Sequence, residues 1–205
     1  MAIVDLLNDI GDLFFGNKRI DELKHFAQAK SFQLRKRVDL KRIHPSLKEM
    51  KWMNYSNSPT VKGYLFKTNA ETKSLDQIFD IYTKGEFKTS PTTIFLFQHD
   101  NLDLTKFTIS PKGSFSKIGN IFSSSEWSNV NKSFDKAFSV EGNDLNFLRM
   151  HLTFQFAEEM LKISEYTLEG NGNFISIYSP NKKTDIIDMD NIHAVGEEIL
   201  DILLH

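Results

Sequence analysis

The chain has 205 residues, a mass of 23.7 kDa, a formal net charge of −2 and no cysteine. These figures exclude a disulfide framework, cysteine zinc knuckles and thiol catalysis, and they leave no overall field to gather nucleic acid or an anionic membrane. A chain of this length buries roughly 70% of the surface its unfolded form exposes, so a single domain over residues 1–205 is expected to stand without a metal or disulfide staple.

Residues 1–16 read as an amphipathic helix, with Ile3, Leu6, Leu7, Ile10, Leu13 and Phe14 at helical spacing and Asp5, Asp9 and Asp12 opposite. The early acids and missing early bases are the reverse of a signal peptide, and no run reaches the roughly 18 apolar residues of a membrane span. A second helical pattern covers Asn17 to Ala29. From Lys30 to Trp52 eight basic side chains face two acidic ones, a net +6, with Arg35, Lys36, Arg37, Lys41 and Arg42 at its centre. Within it, His44-Pro45-Ser46 predicts a turn into a helical segment carrying Leu47, Met50 and Met53.

From residue 61 the apolar period becomes two. Val61–Thr68, Phe79–Thr83, Thr92–His99 and Phe107–Ser110 read as antiparallel strands. In the third, Ile94 and Leu96 point one way and Phe95 and Phe97 the other, which predicts a central strand. The Ser- and Asn-rich stretch 112–133 reads as a long loop and an internal boundary. Phe134, Phe138 and Val140 suggest a further strand, and Asp144 stands where a helix cap belongs. Residues 145–163 predict one continuous helix with two apolar stripes, buried on two sides. A hairpin turning at Gly170–Asn173 follows, then a helix Met189–Leu204 capped by Asp188. The fold class is α+β: antiparallel sheet packed against a central helix, with a C-terminal β-α-β-β-α unit.

Phe134, Phe138, Val140, Gly142 and Asp144, then Arg149, Phe156, Glu159 and Leu161, then Glu169, Gly170 and the strand Phe174–Tyr178 resemble a bacterial domain-of-unknown-function family. Upstream, Thr93, Phe95, Phe97, Leu104, Phe107 and Pro111 are similar to that family's preceding segment. The resemblance covers residues 60–180 and implies no activity. Many members of that family carry membrane-spanning helices ahead of this domain, where this chain departs by having the acidic amphipathic segment.

No catalytic residue, cofactor site or metal site is read from the sequence. The six histidines, at 25, 44, 99, 151, 193 and 205, form no HExxH or HxH pattern. His99-Asp100 matches the adjacent pair of some metal-dependent phosphohydrolases but reads as a strand end, and His193 reads as a satisfied core histidine. Gly170-Asn171-Gly172 lies between strands and so is no phosphate loop. Arg149 and Glu159 project near apolar stripes, which suggests either a small polar pocket or a strand cap and an edge residue. The basic segment is read as an interaction patch, with Trp52 and Tyr55 near it for stacking, or as the internal match of Thr184–His205, which carries six acids and no base. Nucleic acid is not expected.

The resulting functional expectation is a non-enzymatic cytoplasmic module working through a protein partner or self-association, with residues 1–16 as the homo-oligomer contact. The alternative is a small-molecule or lipid pocket between the Phe-rich sheet and helix 145–163.

Overall fold

The computed structural model describes residues 18–35, 45–55, 60–84, 89–113, 121–122 and 131–205. The predicted helix over residues 1–16, together with Lys36, Arg37, Lys41 and Arg42, lies outside them. The strands are β1 (Gln33–Arg35), β2 (Thr60–Asn69), β3 (Ser74–Lys84), β4 (Thr89–His99), β5 (Leu104–Pro111), β6 (Ile121–Phe122), β7 (Phe138–Gly142), β8 (Thr167–Gly172) and β9 (Phe174–Tyr178). The helices are α1 (residues 18–30), α2 (Lys132–Ala137), α3 (Leu145–His151), α4 (Phe154–Lys162) and α5 (Ile186–Leu204).

Among the described residues, nine strands join one antiparallel sheet in the order β1-β2-β3-β4-β9-β8-β5-β7-β6, and the fold is α+β. The sheet draws strands from both sides of the stretch 112–133, and that stretch itself supplies β6. β4 sits between β3 and β9, as its two apolar faces require. Phe95 and Phe97 enter the helix-side core with Leu65, Ile78, Ile175 and Ile177, while Ile94 and Leu96 enter a second core with Phe79, Ile81 and Tyr178. The second core is roofed by Leu47, Trp52 and Met53 from two short 3-10 turns, Pro45–Glu49 and Lys51–Tyr55, and by Met50 between them. Each fully buried ring contributes on the order of 2–3 kcal/mol.

Two glycines set the spacing of the layers. Gly63 lies in a β2 bulge at φ +63°, and Leu23 of α1 occupies the place of its side chain, 2.3 Å from where a Cβ would be. Gly196 brings α5 onto β4, since a Cβ there would stand 2.2 Å from the Phe97 ring.

Three local expectations change. Phe134 is helical rather than extended, because the Asn131 side chain accepts from the Ser133 and Phe134 amides at 2.9 and 3.2 Å and starts α2. The single helix 145–163 is two helices. Asp144 caps the first as expected, accepting from Asn146 and Phe147, but Thr153 caps a second one by accepting from the Phe156 amide at 3.2 Å. Only the stripe of Leu148, Leu152, Phe156, Met160 and Ile163 is wholly buried; from the other, Met150 is 74% and Phe154 62% exposed. The pair therefore lies against the sheet on one side rather than at its heart. Finally, α5 starts one turn early, with Asp185 at the cap position and Asp188 in the first turn.

Candidate functional site

The period-2 alternation of β3 turns Asp76 to the helix side, opposite Phe97 of β4. The helical repeat of α5 puts His193 and Glu197 one turn apart on the face that crosses those strands. Their side chains meet. His193 Nε2 lies 3.1 Å from Asp76 Oδ2, and its Nδ1 lies 3.5 Å from Glu197 Oε2. Phe32 meets the imidazole edge-on at 5.2 Å between centroids and Phe97 lies against it at 5.5 Å, so the ring is held in one plane. Asp76 and His193 are buried at 6% and 5% exposure, while Glu197 is half-exposed. Lys67 Nζ stands 3.9 Å from the other Glu197 oxygen.

Asp76 and Glu197 of this trio border a cleft of about 500 Å³ between the β2–β3 turn, the end of β4 and the last turns of α5. Asp76, Glu197, Asp201, His99, Lys67 and Lys73 are among its walls. His99 accepts the Asn101 amide on Nδ1 at 3.1 Å, so in the neutral ring Nε2 carries the hydrogen and His99 is a donor rather than a metal ligand. One ligand atom from each of Asp76, His193 and Glu197 lies within 4.8 Å of the others, a spacing suited to a shared cation. A smaller cleft of about 240 Å³ runs between Lys162–Tyr166 and the start of α5, with Lys182 paired to Glu165 at 2.6 Å on its rim.

A second polar centre lies on the opposite face, where the sheet register aligns Glu141, Thr108, Glu169 and Ser176 in one cross-strand row. Burial drives the Glu169 carboxyl up to about 7, against the opposing pull of the Lys51 amide and charge, the Tyr178 hydroxyl and Lys106. Both Glu169 oxygens accept from the Lys51 backbone N–H at 3.1 Å, and Lys51 Nζ pairs with Glu141 at 2.7 Å. The centre fastens the 3-10 roof to the sheet.

The residues singled out from sequence are placed apart. Arg149 is exposed; Glu159 is half-buried and pairs with Lys162 at 2.5 Å, and neither borders a cleft described above. Arg35 is exposed on β1 and lies 4.6 Å over the Phe66 ring. Lys30 of the basic segment pairs with Asp190 of the acidic helix at 2.5 Å, one link of the internal charge match. Trp52 is wholly buried with its Nε1 donating to Ser176 at 3.2 Å, which removes it as a stacking surface. The space between the Phe-rich sheet and residues 145–163 is filled by Phe107, Phe156 and Met160 of the core. Reasoning from sequence missed Asp76–His193–Glu197; the four-residue interval of His193 and Glu197 was its only local signal, and nothing around Asp76 announced it.

No family model matches the chain, and no curated protein matches it. Among solved structures, the chain is similar to the crystal structure of the mycobacterial trehalose monomycolate transport factor A, TtfA. The TM-score is 0.64 at 14% identity, over 90% of this chain and 93% of that one. The likeness shows a shared fold. Among the described residues no helix is long and apolar enough to cross a membrane.

Proposed function

We propose that this chain is a non-enzymatic binding module that associates with a second copy of itself. The observation that carries the reading is the exposure of Met150 and Phe154 on either side of the α3–α4 break, at 74% and 62%. Large apolar side chains grouped at one place on a surface mark contact sites more often than scattered ones do. Phe147 and His151, stacked at 4.2 Å, lie in the same short helix as Met150. Residues 1–16, amphipathic in sequence, are the natural second part of such a contact.

The fold shared with a protein named as a transport factor supports a role exercised through binding. Membership of the bacterial domain-of-unknown-function family and a cytoplasmic location, which suits a chain with no cysteine, belong to the same proposal.

Native mass spectrometry of the full chain tests it. The wild type is expected at a multiple of 23.7 kDa, and Met150→Glu with Phe154→Glu at the mass of one chain with an unchanged circular dichroism spectrum. Removing residues 1–16 is expected to weaken the same assembly. A wild type that stays monomeric at tens of micromolar would sink the reading.

A further inference from the structure

The Asp76–His193–Glu197 trio brings two carboxylates to the two nitrogens of one imidazole. Asp76 is 94% buried, since 6% of its surface remains exposed, and among the described residues its side chain has a single hydrogen-bond partner, the His193 ring. An ionised carboxylate has room for about four hydrogen bonds and is costly to bury with fewer. Glu197 adds a second carboxylate on the far edge of the same ring. Lys67, which faces Asp76 across the β2–β3 pair, stands 3.9 Å from Glu197, and Lys73 lines the same cleft. Asp76 and Glu197 both border the cleft, so an ion can reach their carboxylates from it.

We propose that Asp76, His193 and Glu197 bind one first-row divalent transition metal ion, zinc above all, at the inner end of this cleft. One imidazole nitrogen with two carboxylate oxygens is a donor set such ions favour, and it leaves a coordination position toward the cleft. The 3.1 Å between His193 Nε2 and Asp76 Oδ2 is close to the roughly 3.4 Å between two ligands that each stand about 2.1 Å from a tetrahedral ion. Glu197, half-exposed and one helical turn on, closes the remaining gap, from within 4.8 Å, by rotating its side chain. Phe32, Phe97 and Gly196 preorganise the site, because the two rings fix the imidazole plane and the missing Cβ lets α5 approach β4. The site does not depend on the proposed self-association, since Met150 and Phe154 are not among its residues.

Isothermal titration of the full chain with Zn²⁺ at neutral pH, with Co²⁺ visible absorption as a second readout, tests the site. The expected result is one ion per chain, bound at least about tenfold more weakly by Glu197→Gln and by Asp76→Asn, and equally well by His205→Ala. Glu197 is half-exposed, so its variant keeps the fold and decides the matter even if Asp76→Asn does not. No saturable binding of either ion by the wild type overturns the proposal and leaves the trio a closed ion pair. Binding that both carboxylate variants leave intact, or that His205→Ala abolishes, also overturns it, the latter by placing the ion at the exposed His205–Asp201 pair.

Discussion

Both carboxylate oxygens of Glu169 accept the backbone N–H of Lys51, each at 3.1 Å, although 118 positions separate the two residues. One side chain of β8 thereby holds the 3-10 roof that covers the second core. Its carboxyl is 97% removed from solvent, given 3% exposure, and burial outweighs the hydrogen bonds, moving it from 4.5 to about 7.

A carboxyl whose folded value is raised binds its proton more tightly in the folded than in the unfolded chain. Its contribution to stability is therefore complete below about 4.5 and is lost as pH rises through about 7. At about 1.4 kcal/mol per pH unit the loss amounts to about 3 kcal/mol. Glu169→Gln keeps an oxygen for the Lys51 amide and cannot ionise. Urea unfolding between pH 4.5 and 8 is expected to show the wild type losing stability relative to this variant; parallel pH profiles would refute the assignment.

Arg19 of α1 is buried, and its guanidinium donates to Asp80 of β3 at 2.8 and 3.1 Å. Thr93 donates to the same carboxylate at 2.6 Å and accepts from the Thr184 amide at 2.9 Å, so helix, sheet and the segment before α5 share one network. Arg19→Met keeps most of the packing volume but strands Asp80. A loss of about 3–5 kcal/mol in denaturant unfolding is expected. A loss below about 1 kcal/mol, typical of a surface pair, would mean that the bridge does not hold α1.

Gly196 presents two opposed effects of known size. In an exposed helix, Gly→Ala stabilises by about 1 kcal/mol. Here the added methyl meets the Phe97 ring at 2.2 Å, and the overpacking cost of about 1–3 kcal/mol should win. Gly196→Ala is expected to lower the thermal midpoint, whereas a rise would show that α5 does not sit this close to β4.

The break between α3 and α4 rests on Thr153. Thr153→Ala removes the side-chain acceptor of the Phe156 amide and should cost about 1 kcal/mol. Because an unbroken helix is what the apolar spacing of 145–163 favours, a gain in stability and in helical ellipticity would show that the cap is not what divides the two.

The sequence by itself determined what depends on neighbours along the chain. Alternation in Ile94–Phe97 placed β4 inside the sheet, Asp144 announced a helix start, and the Gly and Asn run at 170–173 announced a hairpin, because these rest on strand period, capping and backbone freedom. Competing local signals were harder to rank. Thr153 and Asn131 each cap a helix inside a stretch whose apolar spacing suggested something else, and packing against the sheet decided which signal prevailed. The candidate site came from the tertiary structure alone. Asp76 and His193 are 117 positions apart, as Lys51 and Glu169 are 118, and no periodicity links them. They meet because β3 and α5 pack through Phe97 and Gly196, and because the 3-10 roof settles on β8 and β9; those contacts follow from burying the two faces of the sheet.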